Sequence, residues 1–511
     1  MRILASANGS TGGSALSIAC DVLIVGAGNA GWSAAHAARQ AGASVIVVEK
    51  ATEGSSGGNS YFTAGAFRTT FTGLEEIVPL LDSPDRDQLD LTDIDPYRPE
   101  DFRADLERVT RGRCNPLLAA ILAHDAADTV QWLRRVGLRF ELAYARQSFE
   151  LDGRRRFWGG LAVVTVGGGK GLVAQHTAAA LQSGIEVVYG TPVVSLLGDA
   201  TSGIRGVACR SGVEIRAGAV VIAAGGFESS PRLRSAHLGP GWDLAKVRGT
   251  ALNTGEVLMA ALDAGAQATG HWSGCHSVAW DVAAPPVGDR ELTHRFTKQS
   301  YPLGIVVNRN GERFIDEGAD FRNYTYAKYG AEILRQPAAL AFQVFDAQTA
   351  PLLPADEYAA PGVSRYTADS IAQLAQLIGV PADRLERTVG EFNEATADSR
   401  FNPAIKDRKG THGISPPKSN WAVPLVQPPF VAFGVTCGIT FTFGGVAVDS
   451  RAQVLDDAGQ PIAGLYAAGE LVGGLFYFNY PGGSGLTAGS VFGRRAGTNA
   501  ALAATDGARG V

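Results

Sequence analysis

The feature that most constrains the fold is a strand–turn–helix–strand unit close to the amino terminus. A β-branched run at residues 21–25 leads into the turn G-A-G-N-A-G at residues 26–31. An Ala-rich helix follows at residues 32–40, and a second apolar run at residues 44–48 ends at Glu49. Short apolar runs of this kind form strands that are buried on both faces of a parallel sheet. The order therefore predicts a βαβ unit and a fold of the α/β class.

The turn has the G-x-G-x-x-G spacing of a dinucleotide-binding loop. Its glycines let the backbone approach a pyrophosphate at a helix amino terminus, where free N–H groups favour anions. Glu49 lies 18 positions after Gly31, at the end of the second strand, where an acid accepts hydrogen bonds from a ribose. The residues predicted to bind the dinucleotide here are Gly26, Gly28, Asn29, Ala30, Gly31, Glu49 and Lys50.

Composition excludes several classes of protein. Lys and Arg number 45 against 50 Asp and Glu, so the net charge of −5 gives no electrostatic footprint for nucleic acid or anionic lipid. The five cysteines are scattered without a C-x-x-C pair, which argues against a disulfide scaffold, a zinc site or an iron–sulfur cluster. The first 17 residues lack the apolar core of a signal peptide, and no apolar run is long enough to span a membrane. We expect a soluble cytoplasmic protein with no metal, no nucleic-acid partner and no direct membrane insertion.

Two later segments repeat the pattern of a buried strand followed by glycine. They lie at residues 219–226 and 464–470, and hairpin-like strands are predicted near residues 186–197 and 206–213. Between about residues 232 and 430 the pattern gives way to separate strands and amphipathic helices. We therefore predict a cofactor domain in two parts, residues 1–235 and 430–511, with a capping domain inserted at residues 236–429.

Several motifs carry a resemblance to a known family. The segments G-G-N-S at 57–60, A-A-G-G at 223–226 and Y-A-A-G-E at 466–470 resemble the fumarate reductase/succinate dehydrogenase flavoproteins. Within that family, the segments at 272–276, 316–326, 436–445 and 479–483 are most similar to the FAD-dependent tricarballylate dehydrogenases. The resemblance implies an FAD-binding, Rossmann-like three-layer domain with an inserted α+β capping domain that closes over the flavin ring.

The resemblance also implies which residues hold FAD. Glu470 typically holds the ribityl chain in this family, and the turn before the last helix places N–H groups near the flavin. Covalently flavinylated relatives carry a His near residue 60, where this chain has Asn59-Ser60-Tyr61, so the FAD is expected to be non-covalent. The further cofactor residues that the family pattern assigns are Gly57, Gly58, Asn59, Ser60, Ala224, Gly225, Gly469, Glu470, Gly483, Ser484, Gly485 and Leu486.

The activity implied is FAD-dependent desaturation of a C–C bond in a small, tricarballylate-like carboxylic acid. Such a reaction needs cations for carboxylates, a base for the α-proton, and flavin N5 to accept a hydride. Arg68 occupies the position where the family lines the flavin face, and His276, with His271 as the alternative, resembles its substrate-binding His. The residues predicted to act on the substrate are Arg68, His276, Glu317, Arg322 and Tyr480.

Each of these residues also has a structural interpretation. Arg68 could be a surface cation, Glu317 and Arg322 an ion pair, and Tyr480 an aromatic packed against the flavin. Phe441 and Tyr480 stand where fumarate reductases carry a His and an Arg, whereas ketosteroid dehydrogenases place a Tyr like Tyr480 beside the flavin. The alternatives are therefore a 3-ketosteroid Δ1-dehydrogenase-like enzyme, a fumarate-reductase-like enoate reductase, or a flavin-binding module without turnover. The expected partners are a small-molecule substrate and, in addition, an electron-acceptor protein.

Overall fold

The computed structural model describes residues 18–396, 402 and 404–509. The strands are β1 (Ile18–Val25), β2 (Val45–Val48), β3 (Ala66–Phe67), β4 (Thr92–Ile94), β5 (Phe140–Leu142), β6 (Ser148–Leu151), β7 (Arg154–Phe157), β8 (Val163–Thr165), β9 (Glu186–Val188), β10 (Val193–Asp199), β11 (Gly203–Cys209), β12 (Glu214–Ile222), β13 (Lys246–Val247), β14 (Ala268–Asp281), β15 (Ile305–Asn308), β16 (Ala341–Phe345), β17 (Arg365–Ala368), β18 (Phe430–Val446), β19 (Gln453–Leu455) and β20 (Pro461–Ala467). The helices are α1 (Asn29–Gln40), α2 (Leu74–Ile77), α3 (Arg86–Asp90), α4 (Pro99–Val109), α5 (Pro116–Val136), α6 (Tyr144–Gln147), α7 (Gly168–Gln182), α8 (Pro231–His237), α9 (Glu256–Asp263), α10 (Tyr326–Leu334), α11 (Ala355–Tyr358), α12 (Ile371–Ile378), α13 (Ala382–Glu394) and α14 (Ser484–Arg509).

A parallel sheet forms the centre of the first domain. β1 pairs in parallel with β2 and β12, β12 pairs in parallel with β20, and β2 pairs in parallel with β9. The strands predicted near residues 219 and 464 therefore lie in the same sheet as the amino-terminal βαβ unit. Since parallel strands end at the same edge, the glycine turns after β1, β12 and β20 are brought together there. The predicted α/β class is confirmed.

One predicted hairpin is wrong in part. β10 and β11 pair as antiparallel neighbours, as predicted, but β9 is separated from them and lies at the opposite edge of the sheet, parallel to β2. β9 follows helix α7, so it is the end of a crossover connection rather than the first strand of a hairpin.

The carboxyl-terminal helix closes the first domain by packing on α1. Gly493 and Gly497 face α1 so closely that a Cβ at either position would lie 2.5 and 2.0 Å from the carbonyl oxygens of Ala30 and Ala34. Only glycine permits this approach of two helices. The last segment of the chain is thereby fixed beside the helix that starts the dinucleotide turn.

A six-stranded sheet forms the second domain. Its long strand β18 pairs with β13, β14, β16 and β17, and β15 pairs with β16 at the edge. β18 starts at residue 430, so the predicted carboxyl-terminal part opens with a strand of the second sheet. The domain division at residues 235/236 and 429/430 stays a prediction. Two three-stranded sheets, β3-β8-β5 and β4-β7-β6, complete the fold.

Residues 18–396, 402 and 404–509 contain neither a membrane-spanning helix nor a metal-binding cluster. No helix there has both the length and the apolar composition needed to cross a membrane. No group of three or more His, Cys, Asp or Glu side chains is arranged there to hold a metal ion.

Candidate functional site

An elongated cavity runs along the carboxyl edge of the parallel sheet and continues towards the second sheet. Most of the residues predicted to bind the dinucleotide line it. These are Gly26, Gly28, Asn29, Ala30, Glu49, Lys50, Gly58, Asn59, Ser60, Ala224, Gly225, Gly469, Glu470, Gly483, Gly485 and Leu486. The other three predicted residues, Gly31, Gly57 and Ser484, are not among the residues that line the cavity.

Two glycines of the amino-terminal turn have different surroundings. A Cβ added to Gly28 would have Ser60 Oγ as its nearest neighbour, at 3.5 Å, which is an ordinary van der Waals contact that the protein itself tolerates. A Cβ added to Gly31 would lie 1.9 Å from the Gly26 carbonyl oxygen. Gly28 thus suits close approach of a pyrophosphate, and Gly31 suits the packing of the helix on the turn.

Glu49 and Lys50 lie at the end of β2. The Glu49 carboxyl oxygens accept hydrogen bonds from the Ala27 and Ala51 N–H groups at 2.7 and 2.8 Å, and burial raises the pKa of this carboxyl. The Lys50 Nζ donates to Thr254 Oγ1 at 2.6 Å and forms an ion pair with Glu256 at 3.0 Å. Glu49 is therefore held rigidly at the cavity edge, while Lys50 joins β2 to the segment before α9.

Two polar side chains of the lining are held in fixed orientations. Asn59 Nδ2 donates to Thr440 O at 2.6 Å, and Asn59 Oδ1 accepts from the Thr250 N–H at 2.9 Å. Glu470 Oε1 accepts from the N–H and hydroxyl of Thr442 at 2.7 and 3.1 Å. A cradle of glycine turns with oriented acceptors and amides matches the needs of a dinucleotide, and FAD fits it.

The cavity is also lined by arginine and tyrosine side chains that lie outside the dinucleotide cradle. These are Arg248, Arg322, Tyr326 and Tyr480, and we call the part of the cavity that they line the tyrosine end. The hydroxyl groups of Tyr326 and Tyr480 are hydrogen-bonded to each other, and burial raises the pKa of both phenols. Both hydroxyls are therefore protonated at neutral pH and can donate or relay a proton.

Arg322 and Tyr480 line the cavity, whereas Arg68 lies outside its lining. Arg68 is fully buried, and its Nε donates to the Gly482 carbonyl oxygen at 2.8 Å. Its Nη1 donates to the Tyr97 hydroxyl at 2.9 Å and lies 3.5 Å from Asp105. This guanidinium supports the turn before α14, and its Nη2 has no hydrogen-bond partner in the described chain. Binding of a substrate carboxylate by Arg68 stays a prediction.

Glu317, which was predicted to act on the substrate, occupies a structural position in the second domain. It is fully buried in the second domain, where its two carboxyl oxygens bind the Arg313 guanidinium and Oε1 also accepts from the Val306 N–H at 2.8 Å. A carboxylate held in this way cannot move a proton at the cavity. The ion pair that the sequence left open exists, but it joins Glu317 to Arg313 rather than to Arg322.

His276 lies directly behind the tyrosine end. Its ring stacks on Phe441 with centroids 5.2 Å apart and meets the edges of Tyr326 and Tyr480 at 5.0 and 4.9 Å. Burial lowers the pKa of the imidazole well below its usual range, so the ring is neutral. The predicted contact between His276 and substrate is replaced by packing against the two tyrosines. The alternative, His271, lines a separate cleft.

Sequence reasoning overlooked Arg248 and Tyr326 as site residues. Arg248 follows the short strand β13 and precedes Gly249. A charged residue beside a glycine at the end of a strand is the sequence signal that could have indicated a site residue here. Tyr326 begins α10. It belongs to the segment 316–326, which carries the family resemblance but does not by itself indicate a role for this tyrosine. Both were missed because they reach the cavity through the pairing of β13 and β14 with β18 and the packing of α10 on β14.

Comparisons with known proteins agree with this geometry. The family model described as an FAD binding domain matches residues 21–486. A probable fumarate reductase of Shewanella frigidimarina (strain NCIMB 400) is 30% identical over 496 residues, which cover 95% of this chain and 75% of the relative. A 4-oxocyclohexanecarboxylate 2-dehydrogenase of Sinomonas cyclohexanicum is 30% identical over 537 residues, which cover 92% and 90%.

Solved structures show the same architecture. The open conformation of a flavocytochrome c3 fumarate reductase superimposes with a TM-score of 0.70 at 28% identity, covering 95% of this chain and 79% of that one. A 3-ketosteroid Δ1-dehydrogenase from Sterolibacterium denitrificans gives a TM-score of 0.72 at 22% identity, covering 95% and 99%, which is a likeness of fold. The chain therefore belongs to the FAD binding domain family that includes the fumarate reductases, and it is an FAD-dependent oxidoreductase acting on carbon–carbon bonds.

Proposed function

We propose that this enzyme desaturates a C–C bond of a small carboxylic acid, of which tricarballylate is one example. The observation that carries the proposal is the tyrosine end of the cavity, where Arg248 and Arg322 lie with the hydrogen-bonded Tyr326 and Tyr480. Guanidinium groups bind carboxylates as planar forks, and a phenol can take or relay a proton. The chain thus offers carboxylate binding and proton transfer at one place.

Each part of the reaction can be assigned to the cofactor or to particular side chains. FAD, when bound, supplies the hydride acceptor. The arginines hold the substrate carboxylates and strengthen the acidity of the adjacent C–H bond by withdrawing charge. Tyr480 or Tyr326 takes the α-proton as a phenolate, so one hydroxyl of the pair must first lose its own proton. The hydrogen bond from the partner hydroxyl and the positive charge of Arg248 stabilise that phenolate. Removal of one proton and one hydride leaves a C=C bond.

The tyrosine pair also supports a second candidate, an oxo acid. A phenol that is protonated at neutral pH can donate a hydrogen bond to a ketone oxygen, which acidifies the neighbouring C–H bond. The relative named 4-oxocyclohexanecarboxylate 2-dehydrogenase has by its name a substrate with both a ketone and a carboxylate. We infer that a substrate with both groups would use the tyrosines and the arginines together.

Reduction of a C=C bond is the opposite direction of the same chemistry. The names of several relatives, such as the probable fumarate reductase and a vinyl phenol reductase of Lactiplantibacillus plantarum, describe reductases. We favour oxidation because Phe441 and Tyr480 stand where the family resemblance places a His and an Arg of the fumarate reductases. An electron-acceptor protein would then reoxidise the cofactor.

The test is an anaerobic screen for bleaching of the flavin absorbance in the purified holoenzyme. Tricarballylate, succinate, 4-oxocyclohexanecarboxylate and 4-androstene-3,17-dione form the panel, and fumarate with reduced viologen tests the reverse direction. Bleaching by the first or third acid, with formation of an unsaturated product, is expected. Bleaching by the steroid alone, or fumarate reduction without oxidation of any acid, would contradict the proposal.

A further inference from the structure

Two buried glutamates, Glu228 and Glu470, meet beside the cofactor cavity. Glu228 is fully buried just after β12, and its carboxyl is in hydrogen-bonding contact with that of Glu470. Glu228 Oε1 accepts from the side-chain amides of Asn59 and Asn253 at 2.6 and 2.7 Å, whereas Oε2 receives no amide or hydroxyl hydrogen bond from the described chain. Two ionised carboxylates offer only acceptors, so a hydrogen bond between them requires a proton.

No ion pair is formed by the Glu228 side chain within the part of the chain that the structure describes. The guanidinium of Arg234 donates to the Glu228 backbone carbonyl at 2.6 Å instead, and its other nitrogens donate to the backbone carbonyls of residues 242, 243 and 245. The titratable group that interacts with Glu228 from β14 is Cys275, and Cys437 of β18 lies next to Cys275. Burial raises the pKa of both thiols and keeps them neutral. Burial and the neighbouring Glu470 raise the pKa of Glu228 well above its usual range.

Burial raises the pKa of both carboxyls and each accepts two hydrogen bonds, so their position relative to the cavity decides which one carries the proton. Glu470 lines the cavity and accepts two hydrogen bonds from Thr442, which stabilise its ionised form. Glu228 does not line the cavity, and its Oε2 receives no hydrogen bond from an amide or hydroxyl donor in the described chain. A negative charge on Glu228 would therefore leave a buried oxygen without a donor. The proton therefore belongs on Glu228.

We propose that Glu228 is a protonated positioning residue that donates its carboxyl proton to Glu470, so that the pair carries one negative charge. Glu470 is thereby held as an oriented carboxylate that can accept hydrogen bonds from the ribityl hydroxyl groups of FAD. Without the proton, two negative charges would lie side by side in a buried site, next to a cofactor that is itself anionic. The inference takes from the proposed function only that FAD occupies this cavity.

The experiment compares wild-type holoenzyme with the Glu228→Gln and Glu228→Ala variants at pH 7.5. Infrared difference spectra should show the loss of one carboxylic-acid C=O band, sensitive to D₂O, in both variants. Glutamine keeps the carbonyl and the donor, so the FAD dissociation constant should stay within about threefold of wild type. Alanine leaves Glu470 without its donor and should weaken FAD about ten- to hundredfold.

Asp93→Asn is the matched control. Asp93 is exposed and ion-paired with Arg154, which lowers the pKa of its carboxyl, so this variant should lose a carboxylate band and no carboxylic-acid band. An unchanged carboxylic-acid region in Glu228→Gln would overturn the inference, as would FAD binding more than tenfold stronger or weaker. A Gln variant that fails to fold would also contradict it. Substrate turnover enters none of these readouts, so failure of the proposed reaction would leave them unchanged.

Discussion

Tyr326 and Tyr480, 154 positions apart in the chain, share a hydrogen bond between their hydroxyl groups at one end of the cofactor cavity. Tyr326 begins α10 and Tyr480 precedes α14, so two separate elements supply the pair. The neutral His276 ring packs against both phenols and fixes their positions. Each phenol therefore has the hydroxyl group of the other as a partner to which it can pass a proton.

Removing one hydroxyl of the pair should reduce turnover more than binding. Tyr480→Phe and Tyr326→Phe keep the rings that pack around His276, so FAD content should remain normal. Loss of a proton-transfer group typically lowers kcat by about 10²- to 10⁴-fold, and we expect at least the lower value for the phenol that contacts the substrate. Tyr329→Phe, in the core of the second domain, is the control. Wild-type turnover in both tyrosine variants would contradict a role in proton transfer.

Arg322 is expected to recognise a carboxylate. Arg322→Ala should lower kcat/KM for an acid substrate by about ten- to hundredfold, since a charge-assisted hydrogen bond contributes roughly 1.5–3 kcal/mol. The methyl ester of the same substrate has no carboxylate for Arg322 to bind, so the substitution should change the kcat/KM of the ester little. Arg335→Ala, which removes an exposed arginine paired with Glu332, serves as the control for loss of charge. Equal losses for acid and ester would show that Arg322 acts by other means.

The flavin should be released when the protein is denatured by acid. No histidine or cysteine is among the described residues that line the cavity, and the segment Gly58–Phe62 contains no histidine. After precipitation with trichloroacetic acid, the yellow colour should therefore be found in the supernatant and should run as FAD on chromatography. Colour that stays with the pellet would reveal a covalent bond.

Two glycine substitutions should separate cofactor binding from folding. Gly28→Val adds a Cβ that makes only ordinary van der Waals contacts within the protein, so the apoprotein should fold but bind no FAD. Gly31→Val forces a Cβ against the Gly26 carbonyl oxygen and should prevent folding itself. Circular dichroism and flavin content distinguish the two outcomes. Normal FAD content in Gly28→Val would refute the assignment of this turn to the pyrophosphate.

Acid should destabilise the protein partly through His36. This imidazole is buried between Trp32 and His176, and burial lowers its pKa from 6.5 to about 4. The unfolded chain therefore binds more protons below pH 6.5, so stability is lost as the pH falls from 6.5 towards 4. For this one group the loss is about 2 kcal/mol at pH 5.

Replacing His36 by Phe should remove that part of the pH dependence. The difference in unfolding free energy between pH 8 and pH 5, measured in urea, should shrink by about 2 kcal/mol, while His176 keeps its own contribution. His124→Asn, which replaces an exposed histidine, is the control for the loss of a histidine side chain. An unchanged pH dependence in His36→Phe would show that this imidazole is not buried in its neutral form.

The sequence by itself determined the cofactor half of this protein. A buried strand, a glycine turn and a helix are local features, and the spacing between Gly28 and Glu49 is set within one βαβ unit. The strands near residues 219 and 464 repeat the same local pattern, so their place in the parallel sheet followed from it. Most of the residues predicted for the dinucleotide accordingly line the cavity.

Only the tertiary structure decided the other end of the cavity. Arg68 and Arg322 look alike in the sequence, but Arg68 is bound to Gly482 and Tyr97 whereas Arg322 lines the cavity. Tyr326 and Tyr480 become partners through the packing of α10 and the turn before α14. Long-range sheet pairing and helix packing fix which charged side chain reaches a cavity, and neither is written in the local spacing of residues.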